Sequence, residues 1–400
     1  MRQVIKFSAS ISASMGPVAA KIRSTLAEPA ARKALASQEP MPAAVPFALY
    51  FSDAPRGLYQ LEQWLFPLKQ LATSVGPVAI MAGNMLTALS LRKLTDLPIL
   101  LATSSATIEN FVRSRSVDVI FYVNNNQANF TTLRINGPAH VHLSHGESEK
   151  SSMTSNQLKA YDFCFIAGTA SRDRILANVP RFDPAKLVHI GRPQLDRLET
   201  PQSCEGLSPL SVLYAPTWEG DSPAMAYGSV AAPGAELAAQ ILDDARFRLV
   251  YRPHPKLGSL SPTHRAADQK IRAGIRRQAA AGFTHRAALD ENRNPLESIN
   301  RAGLVITDIS AMAMDTIGLN KKLLVLTPPT FTADKAREMP MLAAIKHWES
   351  LPAEPLEQLL NIAHAPVPDA QVQYRDHVFG SEAIGTGTER FIAASANLLG

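Results

Sequence analysis

The sequence predicts an α/β protein with two successive Rossmann-like domains and a ligand site in the cleft between them. Its 400 residues exceed one ordinary core and suit two domains. Short apolar runs alternate with amphipathic segments, which is typical of parallel sheets flanked by helices. A polar stretch at residues 199–211 separates two such series and predicts a linker between domains at 41–198 and 212–400.

The first series predicts strands and helices in alternation. The predicted strands are "FALYFS", "PVAIMAG", "LPILLAT", "VDVIFYV", "HVHLS", "YDFCFIAG" and "KLVHIG". Predicted helices are "LYQLEQWLFPLKQLA", a helix through Leu91, and one around Ile108–Arg115.

The second series repeats the pattern. Its predicted strands are "SVLYAP", "RFRLVYRP", "AGLVITD" and "KKLLVLTPP", with helices at "GAELAAQILDDA", "AMAMDTIGLN" and, closing the chain, "TERFIAASANLL". Polar residues accumulate where these strands end, and open parallel sheets bind ligands at that edge.

Composition narrows the class of partner. The chain is 46% hydrophobic and 19% charged, as in soluble globular proteins, and its net charge of +5 suits an anionic substrate or an anionic membrane surface but does not indicate nucleic acid. The two cysteines, Cys164 and Cys204, form no metal or redox spacing, so we expect a reducing cytosol and a buried Cys164. No apolar run approaches a membrane span. Residues 1–40 are either an amphipathic helix at a membrane surface or a packed N-terminal helix.

The stretch "HVHLSHGESEK" concentrates polar groups at one strand end. His140 and His142 share a strand face, and we expect them to be packed core residues with satisfied ring nitrogens rather than zinc ligands. His145 lies at the strand end and suits a general base. Gly146 permits a turn, after which "ESEKSS" is expected to begin a helix.

Three further strand ends carry candidate ligand-binding residues. After "VLYAP", Thr217 is a candidate phosphate or hydroxyl contact and Trp218 a stacking surface, with a structural turn as the alternative. In "YRPHPK" the alternating Arg252, His254 and Lys256 predict a clamp for a diphosphate rather than a solvated basic edge.

The third strand end is "VITDISAMAMD". Asp308 ends the strand, and Ser310 can cap the following helix, whose first N–H groups are offered to an anion. The alternative is a capped helix start that holds no ligand. Asp315 lies further along the same helix.

Taken in order, these motifs resemble the CDP-glycerol glycerophosphotransferase family, which includes the teichoic acid and capsule polymerases. The resemblance rests on His145-Gly146 with Lys150, then "GRPQLD", "YAPTW", "RPHP" and "TDIS…D". It covers roughly Phe121 to Leu326 and the glycine-containing tail near Gly380–Arg390. It departs after His-Gly, where "ESEK" stands in place of the Pro-Leu-Lys common in that family. We expect this segment, with Gly146 and Lys150, to decide acceptor choice.

The resemblance implies a GT-B-like fold and an enzyme that moves a polyol phosphate from a CDP-activated donor to a hydroxyl of a cell-surface polymer. It implies no required metal and no cofactor. His145 would be the catalytic base and His254 a second catalytic group. The donor's diphosphate and nucleotide would be held by Arg252, His254, Thr307, Ser310, Asp315 and Thr217.

Two alternatives to this function stay open. One is a GT-B glycosyltransferase that uses a UDP- or CMP-sugar in cell-envelope polysaccharide synthesis. The other is a non-catalytic protein that binds a nucleotide or polymer on the same fold. For the enzyme, the expected acceptor is a polyanionic polymer or lipid-linked chain, and the expected location is the cytoplasm, at the inner face of the cell membrane.

Overall fold

The structure is a computed structural model that describes residue 29 and residues 33–198, 208–290, 294–337, 339–381 and 385–400. Most of the predicted N-terminal segment, most of the predicted linker and Cys204 therefore lie outside the described residues. The chain divides into two compact units, Met1–Val141 with Leu398–Gly400, and His142–Asn397. The domain boundaries at 41–198 and 212–400 stay predictions.

The strands form two sheets. The first has seven strands in the order β3-β2-β1-β4-β5-β6-β7, and β1 pairs in parallel with both β2 and β4. These strands are β1 Phe47–Phe51, β2 Val78–Ala82, β3 Ile99–Leu101, β4 Val119–Tyr122, β5 Ala139–His142, β6 Phe163–Ile166 and β7 Leu187–His189. Every residue of β1, β2 and β4 is buried, as expected for a sheet covered on both faces.

The second sheet has six parallel strands in the order β10-β9-β8-β11-β12-β13. They are β8 Leu210–Ala215, β9 Phe247–Tyr251, β10 Ala287–Leu289, β11 Leu304–Thr307, β12 Leu323–Leu326 and β13 His347–Trp348. Successive strand residues enter different cores: Val212 and Tyr214 pack in one cluster, Leu213 and Ala215 in another. This alternation follows from the two-residue period of a strand.

Helices connect the strands. Those of the first series are α1 Tyr59–Glu62, α2 Leu65–Ser74, α3 Met85–Leu91, α4 Ser105–Ser114, α5 Phe130–Leu133 and α6 Thr169–Asn178. Those of the second are α7 Ala235–Asp243, α8 Pro262–Ala280, α9 Pro295–Asn300, α10 Ala311–Gly318, α11 Ala333–Arg337, α12 Pro340–Ala344, α13 Pro355–His364, α14 Asp369–Phe379 and α15 Gly387–Ala396. In the described part of the chain, none of these helices is both long and apolar enough to cross a bilayer.

Each of the predicted strands is present, whereas the short strands β10 and β13 were not predicted, and two of the helices differ from the prediction. The helix predicted from Leu58 to Ala72 is two helices, α1 and α2, and Pro67 lies in the first turn of the second, where a missing N–H costs nothing. The longest helix, α8, was missed because its apolar face is thin and its composition polar: its buried residues are only Ala267, Ile271, Gly274 and Ile275.

Candidate functional site

The order of the second sheet places β8 beside β11, while β9 and β12 leave on opposite sides. Such a reversal leaves a crevice at the carboxyl ends of the two central strands, which is where open α/β sheets bind ligands. Thr217 follows β8, Arg252 follows β9 and Asp308 follows β11. Three of the sequence-predicted motifs therefore meet at one sheet edge.

Asp308 joins the loops at this edge. Its carboxylate is fully buried and accepts a hydrogen bond from the backbone N–H of Thr217 at 2.7 Å and another from the hydroxyl of Ser229. Burial raises the pKa of Asp308 to about 7, while these hydrogen bonds and the charge of Lys150 act in the opposite direction. Asp308 thus positions the segment that follows β8.

The N-terminus of α10 lies next to Asp308. Ser310 occupies the N-cap position, but the expectation that its side chain caps the helix is wrong: no side-chain cap hydrogen bond forms, and its hydroxyl lies 3.2 Å from that of Thr307. Thr307 in turn donates to the carbonyl of Ala215 at 2.6 Å, which ties β11 to β8. The first-turn N–H groups of α10 are therefore left for another acceptor, as at many anion sites.

The His145–Lys150 segment approaches this helix from another part of the chain. A Cβ added at Gly146 would lie 2.8 Å from the Cβ of Ala311, so only glycine allows the approach. Lys150 donates from Nζ to the hydroxyl of Thr217 at 3.0 Å, and the same ammonium lies 5.5 Å from the ring centre of Tyr227. Burial lowers the pKa of Lys150 to about 8, with Asp308 opposing the shift.

Two glutamates hold this segment in place. Glu147 is buried and accepts hydrogen bonds from Arg174 and, at 2.7 Å, from Ser171. Glu149 is also buried, with the hydroxyl of Tyr374 and the backbone N–H of Met341 as donors. The sequence gives no separate signal for these carboxylates, because their partners lie up to 225 residues away.

The helix expected to begin in "ESEKSS" does not form. Residues 145–150 are irregular, and two short 3₁₀ turns follow, Ser151–Thr154 and Asn156–Ala160, rather than an α-helix. The physical reason is that Glu147 and Glu149 are held by distant partners, so this backbone follows tertiary contacts rather than a helical repeat.

The other histidines of the stretch are buried, as expected. His140 has both ring nitrogens satisfied, with the Tyr122 hydroxyl at 2.8 Å and the Ile135 carbonyl at 2.9 Å. His142 stacks on Tyr161 with ring centres 4.9 Å apart. The expectation of satisfied nitrogens is wrong for His142, because its Nδ1 is buried without a hydrogen-bond partner among the described residues.

Within the described ranges, no group of three or more His, Cys, Asp or Glu is arranged to hold a metal ion. Cys164 is buried, as predicted, and burial raises the pKa of its thiol to about 12.

The "YRPHPK" segment is less regular than predicted. Arg252 forms an ion pair with Asp290 at 2.8 Å, and a turn begins at Pro255, so the side chains of Arg252, His254 and Lys256 do not continue along one extended strand. His254 accepts the backbone N–H of Lys256 at its Nδ1 at 3.1 Å.

Trp218 lies beside this turn. Its ring stacks on His254 at 6.3 Å between centres, and the ammonium of Lys256 lies 5.1 Å from the Trp218 ring centre. The indole therefore links the segment after β8 to the turn after β9.

The side chain of Asp315 forms its hydrogen bonds with Arg192 and not with the other candidate residues. Its carboxylate is buried and receives two hydrogen bonds from Arg192, at 2.9 Å from Nε and 3.3 Å from Nη2. Arg192 belongs to the "GRPQLD" motif, so the sequence showed both partners but not their pairing. The predicted donor contact of Asp315 stays a prediction.

The arrangement suits an anionic ligand. The open first turn of α10, the Lys150 ammonium on Thr217 and the Gly146 approach converge within one edge of the second sheet. We call these three features the anion corner. Buried donors and a cation at such a position stabilise phosphate oxygens and developing negative charge.

Comparisons with known proteins agree on the fold. No protein-family model and no curated protein sequence matches the chain. Among solved structures, a glycosyltransferase from Rickettsia africae is 12% identical with a TM-score of 0.54, and the match covers 89% of this chain and 99% of that one. A protein assigned as a UDP-N-acetylglucosamine 2-epimerase from Listeria monocytogenes is 16% identical, with coverage of 88% and 96% and a TM-score of 0.53.

A third similar structure is the wall teichoic acid polymerase TagF in a form soaked with CDPG. It is 12% identical, with coverage of 96% of this chain and 97% of that one and a TM-score of 0.51. At these identities the similarity concerns the fold alone. The predicted fold class, an α/β protein of GT-B type with two parallel sheets, is confirmed.

Proposed function

We propose that this protein is a transferase that moves a polyol phosphate, glycerol phosphate or a similar group, from a CDP-activated donor to a hydroxyl of a cell-surface polymer. The observation that carries the proposal is the anion corner, where an open helix N-terminus and Lys150 could receive the donor's diphosphate. The motif order from His145 to Asp315 and the shared fold of a teichoic acid polymerase support the same reaction.

The chemistry needs a base, a positioned phosphate and charge neutralisation. In the proposed step the imidazole of His145 takes the acceptor hydroxyl's proton, and the alkoxide oxygen forms a bond to the donor's distal phosphorus. The bond from that phosphorus to the bridging oxygen breaks, and CMP leaves with the electron pair. Phosphoryl transfer depends mainly on positioning and electrostatics, which Lys150, His254 and the first turn of α10 would supply.

Arg252 has a defined place in this proposal. Its ion pair with Asp290 fixes the guanidinium, so it would act as an oriented donor rather than as an isolated cation.

The test is release of CMP from CDP-glycerol and CDP-ribitol by the wild-type chain and by His145→Ala. We expect turnover to fall by about 10²–10⁴-fold while donor binding, measured by calorimetry, survives. His285→Ala, at an exposed position, is the matched control and should behave as wild type. No CMP release by wild type from any CDP-polyol, or full turnover by His145→Ala, would contradict the proposal.

A glycosyltransferase that uses a UDP- or CMP-sugar has comparable support. The fold is shared with a glycosyltransferase and with an epimerase whose name contains a UDP-sugar, and an anion corner serves any nucleotide diphosphate equally. A donor screen separates the two: UDP release, or CMP release from a CMP-sugar, indicates glycosyl transfer. If the chain only binds nucleotides, no donor is consumed and His145→Ala leaves binding unchanged.

The acceptor and the location belong to the same proposal. A net charge of +5 suits a polyanionic polymer or a lipid-linked chain at the inner face of the membrane. Co-sedimentation with anionic vesicles checks the membrane contact.

A further inference from the structure

A second polar cluster lies at the reversal point of the first sheet. There β1 and β4 are neighbours, while β2 continues on the other side of β1. Asp53 follows β1, and Asn124 and Asn126 follow β4. These residues belong to one compact unit and have no part in the proposed phosphate chemistry.

The Asp53 carboxylate is held on both oxygens by side-chain amides. Asn124 donates from Nδ2 to Oδ2 at 2.9 Å, and Asn126 donates from Nδ2 to Oδ1. Asn124 Nδ2 also contacts Oε1 of Gln60 at 2.8 Å. The hydroxyl of Thr87 donates to the Asp53 backbone carbonyl at 2.6 Å, so the main chain of Asp53 is held in place as well as its side chain.

Close packing preserves this geometry. A Cβ on Gly57 would lie 2.9 Å from the Cβ of Asp53, and therefore any larger residue at position 57 would displace the carboxylate. Asp53 itself is half-buried, which leaves a face of the side chain accessible.

The charge of Asp53 is not neutralised. Across the described ranges, no lysine or arginine forms an ion pair with it, whereas Asp290 and Asp315 each pair with an arginine. An ionised carboxylate offers about four acceptor positions, and the two amide donors leave capacity for further donors. In the same loop, Oδ1 of Asn125 is a buried acceptor without a hydrogen-bond partner in the described structure.

A rigid carboxylate without a cationic partner, beside amide groups, selects a ligand by its charge and by the hydrogen-bond donors that it carries. It repels phosphate and favours neutral groups that donate hydrogen bonds, above all adjacent hydroxyls that can engage both carboxylate oxygens. The comparable arrangement in dinucleotide-binding sheets is an acidic residue on ribose hydroxyls.

We infer that the Asp53, Asn124, Asn126 and Gln60 cluster is a binding site for the vicinal hydroxyls of a polyol or sugar. Its use for the hydroxyl-bearing end of an acceptor rests on the proposed function, whereas the binding itself does not.

The experiment uses the full chain and saturation-transfer NMR with ribitol as probe and no nucleotide. We expect ribitol to bind and 1,3-propanediol, which lacks adjacent hydroxyls, not to bind. Asp53→Asn should weaken ribitol binding by about tenfold or more, since a charged acceptor is lost. Asp96→Asn, which alters an exposed aspartate paired with Lys69, is the matched control and should bind as wild type.

Several outcomes would overturn the inference. They are no ribitol binding by wild type, equal binding of the two probes, and unchanged ribitol binding by Asp53→Asn. The comparison of probes on wild type decides the question even where Asp53→Asn fails to fold. Transfer from a CDP donor without ribitol binding would contradict this inference and leave the proposed function intact. Ribitol binding without transfer from a CDP donor would support this inference and contradict the proposed function.

Discussion

The ion pair between Arg192 and Asp315 tests whether Asp315, an aspartate of the "TDIS…D" motif, stabilises the fold or binds the ligand. Their side chains are only 5% and 4% exposed, and they share two hydrogen bonds, at 2.9 and 3.3 Å. Asp315→Asn keeps the shape but removes the buried carboxylate charge that the guanidinium of Arg192 faces. Breaking such a pair costs about 3–5 kcal/mol, which agrees with about 1.5–3 kcal/mol for each charge-assisted hydrogen bond.

The assay is urea unfolding followed by tryptophan fluorescence. We expect the midpoint of Asp315→Asn to fall by about 1 M or more, given slopes of roughly 3 kcal/mol per M for a protein of this size. The double variant Arg192→Met with Asp315→Leu should recover most of the loss, because apolar replacement removes both buried charges.

The control is Asp334→Asn, since Asp334 and Arg337 form a pair in which both side chains are largely exposed. That variant should change the free energy of unfolding by less than about 1 kcal/mol. Two results would refute the reasoning: an Asp315→Asn chain as stable as wild type, or a double variant that loses as much as the two single changes together. A stable Asp315→Asn chain with weakened donor binding would instead place the carboxylate on the ligand.

Two further predictions concern the "HVHLSHGESEK" stretch. Gly146→Ala should cost about 1–3 kcal/mol of stability, because its Cβ would lie 2.8 Å from the Cβ of Ala311. Adding Ala311→Gly should recover part of this loss. Thermal unfolding of the wild type, the single variant and the double variant is the measurement, and no recovery in the double variant would contradict the contact. Burial, with a smaller effect of His145, lowers the pKa of His142 to about 3, against about 6.5 in an unfolded chain. Between those values the unfolded state binds one more proton, so the free energy of unfolding should rise with pH by about 1.4 kcal/mol per unit. His142→Phe, which keeps a ring against Tyr161, should remove this dependence, and parallel pH profiles for the two chains would disprove it.

Much of the fold was readable because it depends on local patterns. Buried parallel strands appear as short apolar runs, and "FALYFS" and "AGLVITD" mark β1 and β11 to within two residues at each end. The polar helix α8 escaped notice because its stability depends on a thin buried face rather than on a strong repeat. The closely spaced α1 and α2 likewise read as one element.

The candidate site was readable in part, for a related reason. The carboxyl ends of parallel strands lie at one edge of a sheet, so the sequence alone predicts that Thr217, Arg252 and Asp308 lie near one another. The hydrogen-bond partners of these residues could not be predicted from the sequence. Whether Lys150 contacts Thr217, or Glu149 meets Tyr374, depends on side chains separated by 67 and 225 residues.

By itself, then, the sequence determined the α/β class, the places of β1–β9, β11 and β12 along the chain and the strand-end position of His145 and Gly146, because these follow from periodicity and from glycine's freedom to turn. Only the tertiary structure decided which polar groups form ion pairs or hydrogen bonds within the protein and which can still bind a ligand. Asp315 is paired with Arg192, whereas Asp53 keeps an unneutralised carboxylate at the edge of the first sheet. That outcome is set by burial and long-range pairing, which no local pattern encodes.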